Sequence, residues 1–293
     1  MLEKRLLKSK RLNKMTKRFI SFAVISLLLI VIPSKSFAEQ SAKRIVALAP
    51  HIVEMLFDIG AGDKIVGAVA YSDYPKAALD IPRVGSYHGM QIEKLLALNP
   101  DLVIVWKSGN SQSDIDKMKR LGLKIVFSNP VDIADVATEL RYFGGLTGHQ
   151  QQAESVALAY EQRLKKLRLD NKTKQAIPVF YQLWSEPMMT INGTTWINQL
   201  IEVCQGVNVF KDNPTPYPKI STENVIVAQP HLMILPDENS DKPQPIIDWQ
   251  KWPEIPAVKN NKFIHVDADL LHRFSTRMLS GVADMCEKID QQR

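Results

Sequence analysis

The feature that most constrains this chain is a change of rhythm partway along it. Between residues 44 and 128, short apolar runs that read as strands (44–48, 65–70, 102–106, 124–128) alternate with amphipathic helical segments (52–59, 92–98, 115–121). Gly60 closes the first helical segment and Asn99-Pro100 stops the second. Alternation of this kind builds a parallel sheet covered by helices. Residues 132–170 then carry no strand signal. Helical spacing holds over 134–143, Gly144, Gly145 and Gly148 are expected to interrupt it, and a second helix is expected over 150–167, where Ala157, Tyr160, Leu164 and Leu167 share a face. Residues 170–175 read as loop. Alternation resumes at 179–183, 196–204, 223–228, 232–235 and 263–266. The implied fold class is α/β: two Rossmann-like lobes, 39–145 and 173–293, joined by one long rigid helix within 146–172. A continuous helix across a lobe boundary bends less readily than strand hinges, so little lobe motion is expected.

Charge is unevenly placed. Residues 1–38 hold nine of the 37 Lys and Arg but only one of the 31 acids, which leaves 28 basic and 30 acidic residues in the rest. The basic balance belongs to the leader, so a nucleic-acid partner is not indicated. Within that leader a basic stretch precedes an apolar run, 19–32, too short to span a bilayer comfortably, and Ser36-Phe37-Ala38 offers small residues for cleavage. The reading is a Sec-type signal peptide cut after Ala38, the alternative an uncleaved anchor. No cysteine follows the apolar run to carry a lipid, and no twin-arginine pair is present. The two cysteines of the chain, Cys204 and Cys286, are expected to pair in an exported protein. Two buried free thiols are the alternative.

A faint repeat is present. Glu93-Lys-Leu-Leu-Ala-Leu-Asn-Pro100-Asp-Leu102-Val-Ile104 aligns without gaps on Glu223-Asn-Val-Ile-Val-Ala-Gln-Pro230-His-Leu232-Met-Ile234. If the lobes are related, Glu93 and Glu223 match. No Gly-x-Ser-x-Gly elbow, His-Glu-x-x-His motif or phosphate loop occurs, which argues against an enzyme. The metal-ligand candidates are His265, Asp267 and Asp269 on one extended face, and His51 with Glu54 on one helix face. Neither set has an evident further ligand.

Several strings are more specific: Tyr71-Ser-Asp-Tyr-Pro75, Gly89-Met90 ahead of Ile92-Glu93, Asn99-Pro100-Asp-Leu-Val-Ile-Val-Trp106, Glu202-Val-Cys204-x-Gly206-x-Asn208-x-Phe210-Lys-Asp212, and Tyr217-Pro218. With the two-lobe pattern, they resemble the binding proteins of ABC importers for metals, siderophores and cobalamin, and among these the cobalamin (vitamin B12) branch, over 44–290. The resemblance implies a periplasmic, monomeric substrate-binding protein of the helical-backbone class (class III), with no catalytic residues, no resident metal and no cofactor. Cobalamin would be its cargo, and its partners the permease and ATPase subunits of an ABC transporter, of the BtuC and BtuD type. It further implies ligand contacts from Tyr71, Tyr87, Trp106, Trp184, Tyr217 and the segment Asp269, Leu270, Leu271, His272 and Arg273, and transporter docking by Glu93 and Glu223. A corrin needs aromatic and aliphatic surface for its faces and hydrogen-bonding groups for its amide rim, and these residues follow strands, where α/β proteins place ligands. Iron-siderophore, haem or a metal ion are alternative cargoes on the same fold. The chain departs from the pattern at Tyr87 and Tyr217, where Trp is usual, and at 269–273, where a more aromatic segment is usual. His272 is either a residue able to approach cobalt or a solvated loop histidine.

Overall fold

A computed structural model of the chain describes residues 41–86, 88–237 and 244–293. The leader read over 1–38, with its cleavage site, and Tyr87 lie outside the described residues. The first half contains β1 (Ile45–Ala47), α1 (Pro50–Asp58), β2 (Ile65–Ala68), a hairpin of β3 (Gly85–Ser86) and β4 (Gly89–Met90), α2 (Ile92–Ala97), β5 (Leu102–Trp106), α3 (Gln112–Arg120) and β6 (Ile125–Ser128). Two helices follow, α4 (Asp135–Thr147) and α5 (Gln150–Asn171). The second half contains β7 (Ile177–Tyr181), a hairpin of β8 (Trp184–Ser185) and β9 (Met188–Met189), α6 (Trp196–Val203), β10 (Gly206–Asn208), α7 (Thr222–Ala228), β11 (Leu232–Asp237), α8 (Pro256–Lys259), β12 (Phe263–Asp267), α9 (Ala268–Leu271) and α10 (Met278–Asp290).

Each half folds into a four-stranded, wholly parallel sheet, ordered β2-β1-β5-β6 and β10-β7-β11-β12. In chain order both read second, first, third, fourth, so the halves share one topology. The repeat seen in sequence falls on the same unit of each, α2 with β5 and α7 with β11. The match extends to burial, which is position for position the same over 91–99 and 221–229. Asn99 and Gln229, each ahead of a proline, both adopt the left-handed conformation, with φ 45° and 49°.

Of the glycines expected to break the helical link, Gly144 and Gly145 do not and Gly148 does. α4 runs through Gly144 and Gly145 and ends at Gly148, whose φ of 78° closes it. A mid-helix glycine costs only about 1 kcal/mol relative to alanine. At Gly144 it is required, because a Cβ there would lie 2.4 Å from that of Ala153 on α5. α5 also runs past the expected end to Asn171, whose buried amide donates to the Leu167 carbonyl at 2.8 Å. Its 22 residues span about 33 Å.

One buried apolar cluster runs through both halves. It takes in Ile45 and Ala47 of β1, Met55 and Leu56 of α1, Leu140 and Phe143 of α4, Ala153, Ala157, Tyr160 and Leu164 of α5, Val179 and Tyr181 of β7, and Leu279 and Val282 of α10. The outer face of each sheet has its own smaller cluster, around Val103 and Met118 in one half and Phe180 and Trp249 in the other. The two lobes are therefore packed onto a shared helical core rather than hung from a strand hinge. Cys204, capping α6, and Cys286 of α10 form a disulfide with a Cα–Cα distance of 4.8 Å.

Candidate functional site

The carboxyl ends of the parallel strands carry a row of rings. Asn110 links two of these ends: its side chain accepts from the Trp106 amide at 2.8 Å and donates to the Leu48 carbonyl, just past β1, at 2.9 Å. Trp106 ends β5 and lies over Gly109, where a Cβ would fall 1.9 Å from the indole. Edge-on to Trp106, at 5.2 Å, is His51 at the start of α1. His51 meets Phe274 at 6.3 Å, and Phe274 lies tilted by 39° against Trp196, which opens α6, at 4.4 Å. Tyr217 lies beside Trp196, whose side chain offsets part of the upward push that burial gives the Tyr217 hydroxyl. The row thus crosses from the first sheet to the second. Trp106 Nε1 is a buried donor with no hydrogen-bond partner among the described residues. Unpaired buried donors are uncommon and costly, and they concentrate at functional sites. Of these rings the sequence pointed to Trp106 and Tyr217. In sequence His51 reads only as a candidate metal ligand, and Phe274 and Trp196 carry no motif.

Beside the rings runs a polar seam. α1 presents His51, Glu54 and Asp58 on one face, and residues 273–277 lie along it. Glu54, 1% exposed, accepts from Arg273 Nη1 at 3.0 Å, Arg277 Nη1 at 3.1 Å and Ser275 Oγ at 2.5 Å. Thr276 donates to Asp58 at 2.7 Å. Arg273 also donates to Asp73 at 2.6 Å and to Asp269 at 2.7 Å, and the Arg277 guanidinium lies 3.7 Å from the Tyr74 ring centre. Burial raises the Asp73 carboxyl, but hydrogen bonding and charge from Arg273 outweigh it and hold the group below its ordinary value.

The remaining expected contacts divide. Tyr71 is a well-exposed ring at φ 64°, a conformation that L-residues seldom adopt and that is enriched at binding sites. Trp184 opens the β8–β9 hairpin half-exposed, its Nε1 donating to the Glu186 carbonyl at 2.9 Å. Asp269 and Leu270 keep exposed surface. Leu271 needs correction: it has no exposed surface and packs beneath α10 near Gly281, so it is core rather than rim. Arg273 is 8% exposed and shared among three carboxylates, Glu54 and Asp73 in the first half and Asp269 beside it, so it is a strut between the halves. The solvated-loop alternative for His272 also fails. Its Nε2 is 2.9 Å from the hydroxyl of fully buried Tyr181, and burial pushes the imidazole down to about 4, with Asp267 pulling the other way. That contact occupies Nε2 in either tautomer and withholds it from a metal.

The metal-ligand candidates disperse. His265 pairs with Asp237 at 2.8 Å, Asp267 caps α9 by accepting from the Leu270 amide, and Asp269 turns to Arg273. Asp269 lies in α9, so the extended face assumed for the three does not exist. His51 contacts Ser128 at 3.3 Å and burial pushes it down to about 3. Among the described residues no group of three His, Cys, Asp or Glu is placed to hold a metal ion. Glu93 and Glu223 are both exposed at the second position of α2 and α7. The Ser221 side chain and the residue's own backbone amide hold the Glu223 carboxyl below its ordinary value.

Paired parallel sheets on a helical backbone, with rings and a polar seam between them, define a two-lobed binding protein. The chain belongs to the Periplasmic binding protein family, whose profile matches residues 45–270. It is accordingly a binding protein and not an enzyme. A protein named Vitamin B12-binding protein from Vibrio campbellii is 30% identical over 264 residues, covering 90% of this chain and 95% of that one. One of the same name from Vibrio cholerae is 34% identical over 258 residues, covering 88% and 93%. Among solved structures, the periplasmic vitamin B12 binding protein BtuF of Vibrio cholerae superposes with a TM-score of 0.78 at 34% identity, over 86% of this chain and 99% of that one. The haem-binding protein BhuT shares the fold alone, with a TM-score of 0.74 at 18% identity over 86% and 99%.

Proposed function

We propose that this chain captures vitamin B12 between its two lobes, beyond the carboxyl ends of both sheets, and delivers it to an ABC importer. The observation that carries the reading is the row of rings from Trp106 through His51, Phe274 and Trp196 to Tyr217, in a chain so similar to proteins of that name. A corrin is broad and flat, and such a row supplies surface for it, while Tyr71, Tyr87, Trp184, Asp269, Leu270 and Arg273 supply rings and polar groups for its rim. The protein is read as made with a signal peptide, 1–38, and working in the periplasm as a monomer with lobes at 39–145 and 173–293. Glu93 and Glu223 are read as the docking groups, one per lobe, for arginines on the two subunits of a two-fold permease of the BtuC type. Carboxylate–arginine pairs are directional and can be bidentate, and the reading is supported by the shared topology of the lobes, which puts the two glutamates at corresponding positions.

The test is to mix purified protein with cyanocobalamin, desalt, and record the visible spectrum, with parallel arms for haem and an iron-siderophore. Corrin bands retained at one ligand per chain are expected. Retention of haem or siderophore with no corrin would overturn the reading.

A further inference from the structure

Resting on the reading of the cleft as the B12 site, we propose that Glu54 is the positioning residue of the ligand rim. It touches no ligand itself. It gathers three donors, from Arg273, Ser275 and Arg277, and thereby holds the segment after α9 against the opposite lobe. Each side chain of 273–277 has a partner in the first half: Arg273 on Glu54 and Asp73, Phe274 on His51, Ser275 on Glu54, Thr276 on Asp58, and Arg277 on Glu54 and Tyr74. The same segment carries Arg273, and through it Asp269 and Asp73, whose carboxylates retain exposed surface.

A long cationic side chain at a binding site loses rotamer freedom when ligand immobilises it, unless the fold has already fixed it. Glu54 fixes it from behind. It is fully enclosed, and it lies on a helix of the shared core, so it cannot shift without moving that core. Asp58 offers an internal comparison. It bonds the same segment through Thr276 but reaches neither Arg273 nor Asp269. A role in holding the lobes together and a role in ordering the rim are therefore separable.

The experiment compares the parent with Glu54→Gln, Ser275→Ala and Thr276→Val, using cyanocobalamin as the probe. Glu54→Gln keeps the shape and removes the charge, Ser275→Ala removes one donor to Glu54, and Thr276→Val removes only the Asp58 bond. The readouts are the dissociation rate from stopped-flow quenching of tryptophan fluorescence, the thermal midpoint, and hydrogen exchange of the amides of 268–277 without ligand. Glu54→Gln should raise the dissociation rate on the order of tenfold, as expected when a buried charge-assisted contact that orders a binding group is weakened. Ser275→Ala should raise it less, and both should speed exchange in 268–277. Thr276→Val should lower the thermal midpoint with the dissociation rate unchanged. If Thr276→Val and Ser275→Ala change dissociation equally, or neither Glu54→Gln nor Ser275→Ala changes it, Glu54 only joins the lobes and the positioning role is wrong. Should Glu54→Gln fail to fold, Ser275→Ala against Thr276→Val decides. If the parent itself does not bind cyanocobalamin, the B12 reading falls and takes the positioning role with it.

Discussion

Acidification from pH 7.5 to pH 5.0 should destabilise this protein through two histidines beside the proposed site. His51 is 3% exposed, and burial pushes its imidazole from an ordinary 6.5 down to about 3; His272 is pushed down to about 4. Both are neutral in the folded protein throughout this range. In the unfolded chain both take up protons as the pH falls below 6.5. The unfolded state therefore binds more protons, and stability, complete above pH 6.5, is lost as the pH drops toward the folded values. Because both folded values lie under 5, the loss at pH 5.0 is set almost wholly by the unfolded pKa, at about 2 kcal/mol for each histidine or about 4 kcal/mol together. Asp58 and Glu139, whose carboxyls burial raises, act in the opposite sense and trim the total from the acidic end. Urea titrations at the two pH values, followed by tryptophan fluorescence, should show the midpoint falling by about 1 M for a slope near 3 kcal/mol/M. The control is His51→Gln with His272→Gln, which should be less stable at pH 7.5 but nearly independent of pH across the range. A double variant that keeps the parent's full shift would refute the assignment, as would a parent whose midpoint does not move.

Gly109→Ala places a Cβ where the Trp106 indole lies and should weaken B12 binding by one to two orders of magnitude, about 1.4–2.8 kcal/mol, measured by fluorescence titration. Unchanged affinity would mean that Trp106 is not a ligand contact. Reduction of Cys204–Cys286, which are 82 residues apart, should cost about 4 kcal/mol in the chain-entropy account, read as a lowered urea midpoint with reductant. Thiol labelling of native, unreduced protein would contradict the bond itself. Glu93→Arg combined with Glu223→Arg should leave cobalamin affinity intact and abolish uptake by cells that depend on this protein. Surviving uptake, or affinity lost along with it, would remove the docking role.

The class of the molecule was legible in the chain because local periodicity reports local burial. Runs such as Leu102–Trp106 are apolar on successive residues, which suits a strand covered on both faces, and Asn99-Pro100 marks where a helix must stop. The repeat was legible for the same reason: apolar spacing, a left-handed residue and a proline recur at corresponding places in two sheets of one topology. The cysteine pair was legible because there were only two to pair. Partners distant in sequence were not. Gly144 reads as a helix breaker until α5 is seen packed against it, where the close approach outweighs its poor propensity. His51 and Glu54 read as a half-made metal site on α1, yet one lies under Trp106 and Phe274 and the other holds donors more than two hundred residues away. Leu271 reads as a rim residue, but the packing of α9 against α10 buries it, and Arg273, just past α9, is enclosed by carboxylates of both halves. Hydrophobic period says how far a residue lies from a core, and motif spacing says what stands beside it in the chain. Which side chains meet across two lobes is decided only when both sheets pack onto the shared helices, because those contacts depend on the placement of whole elements.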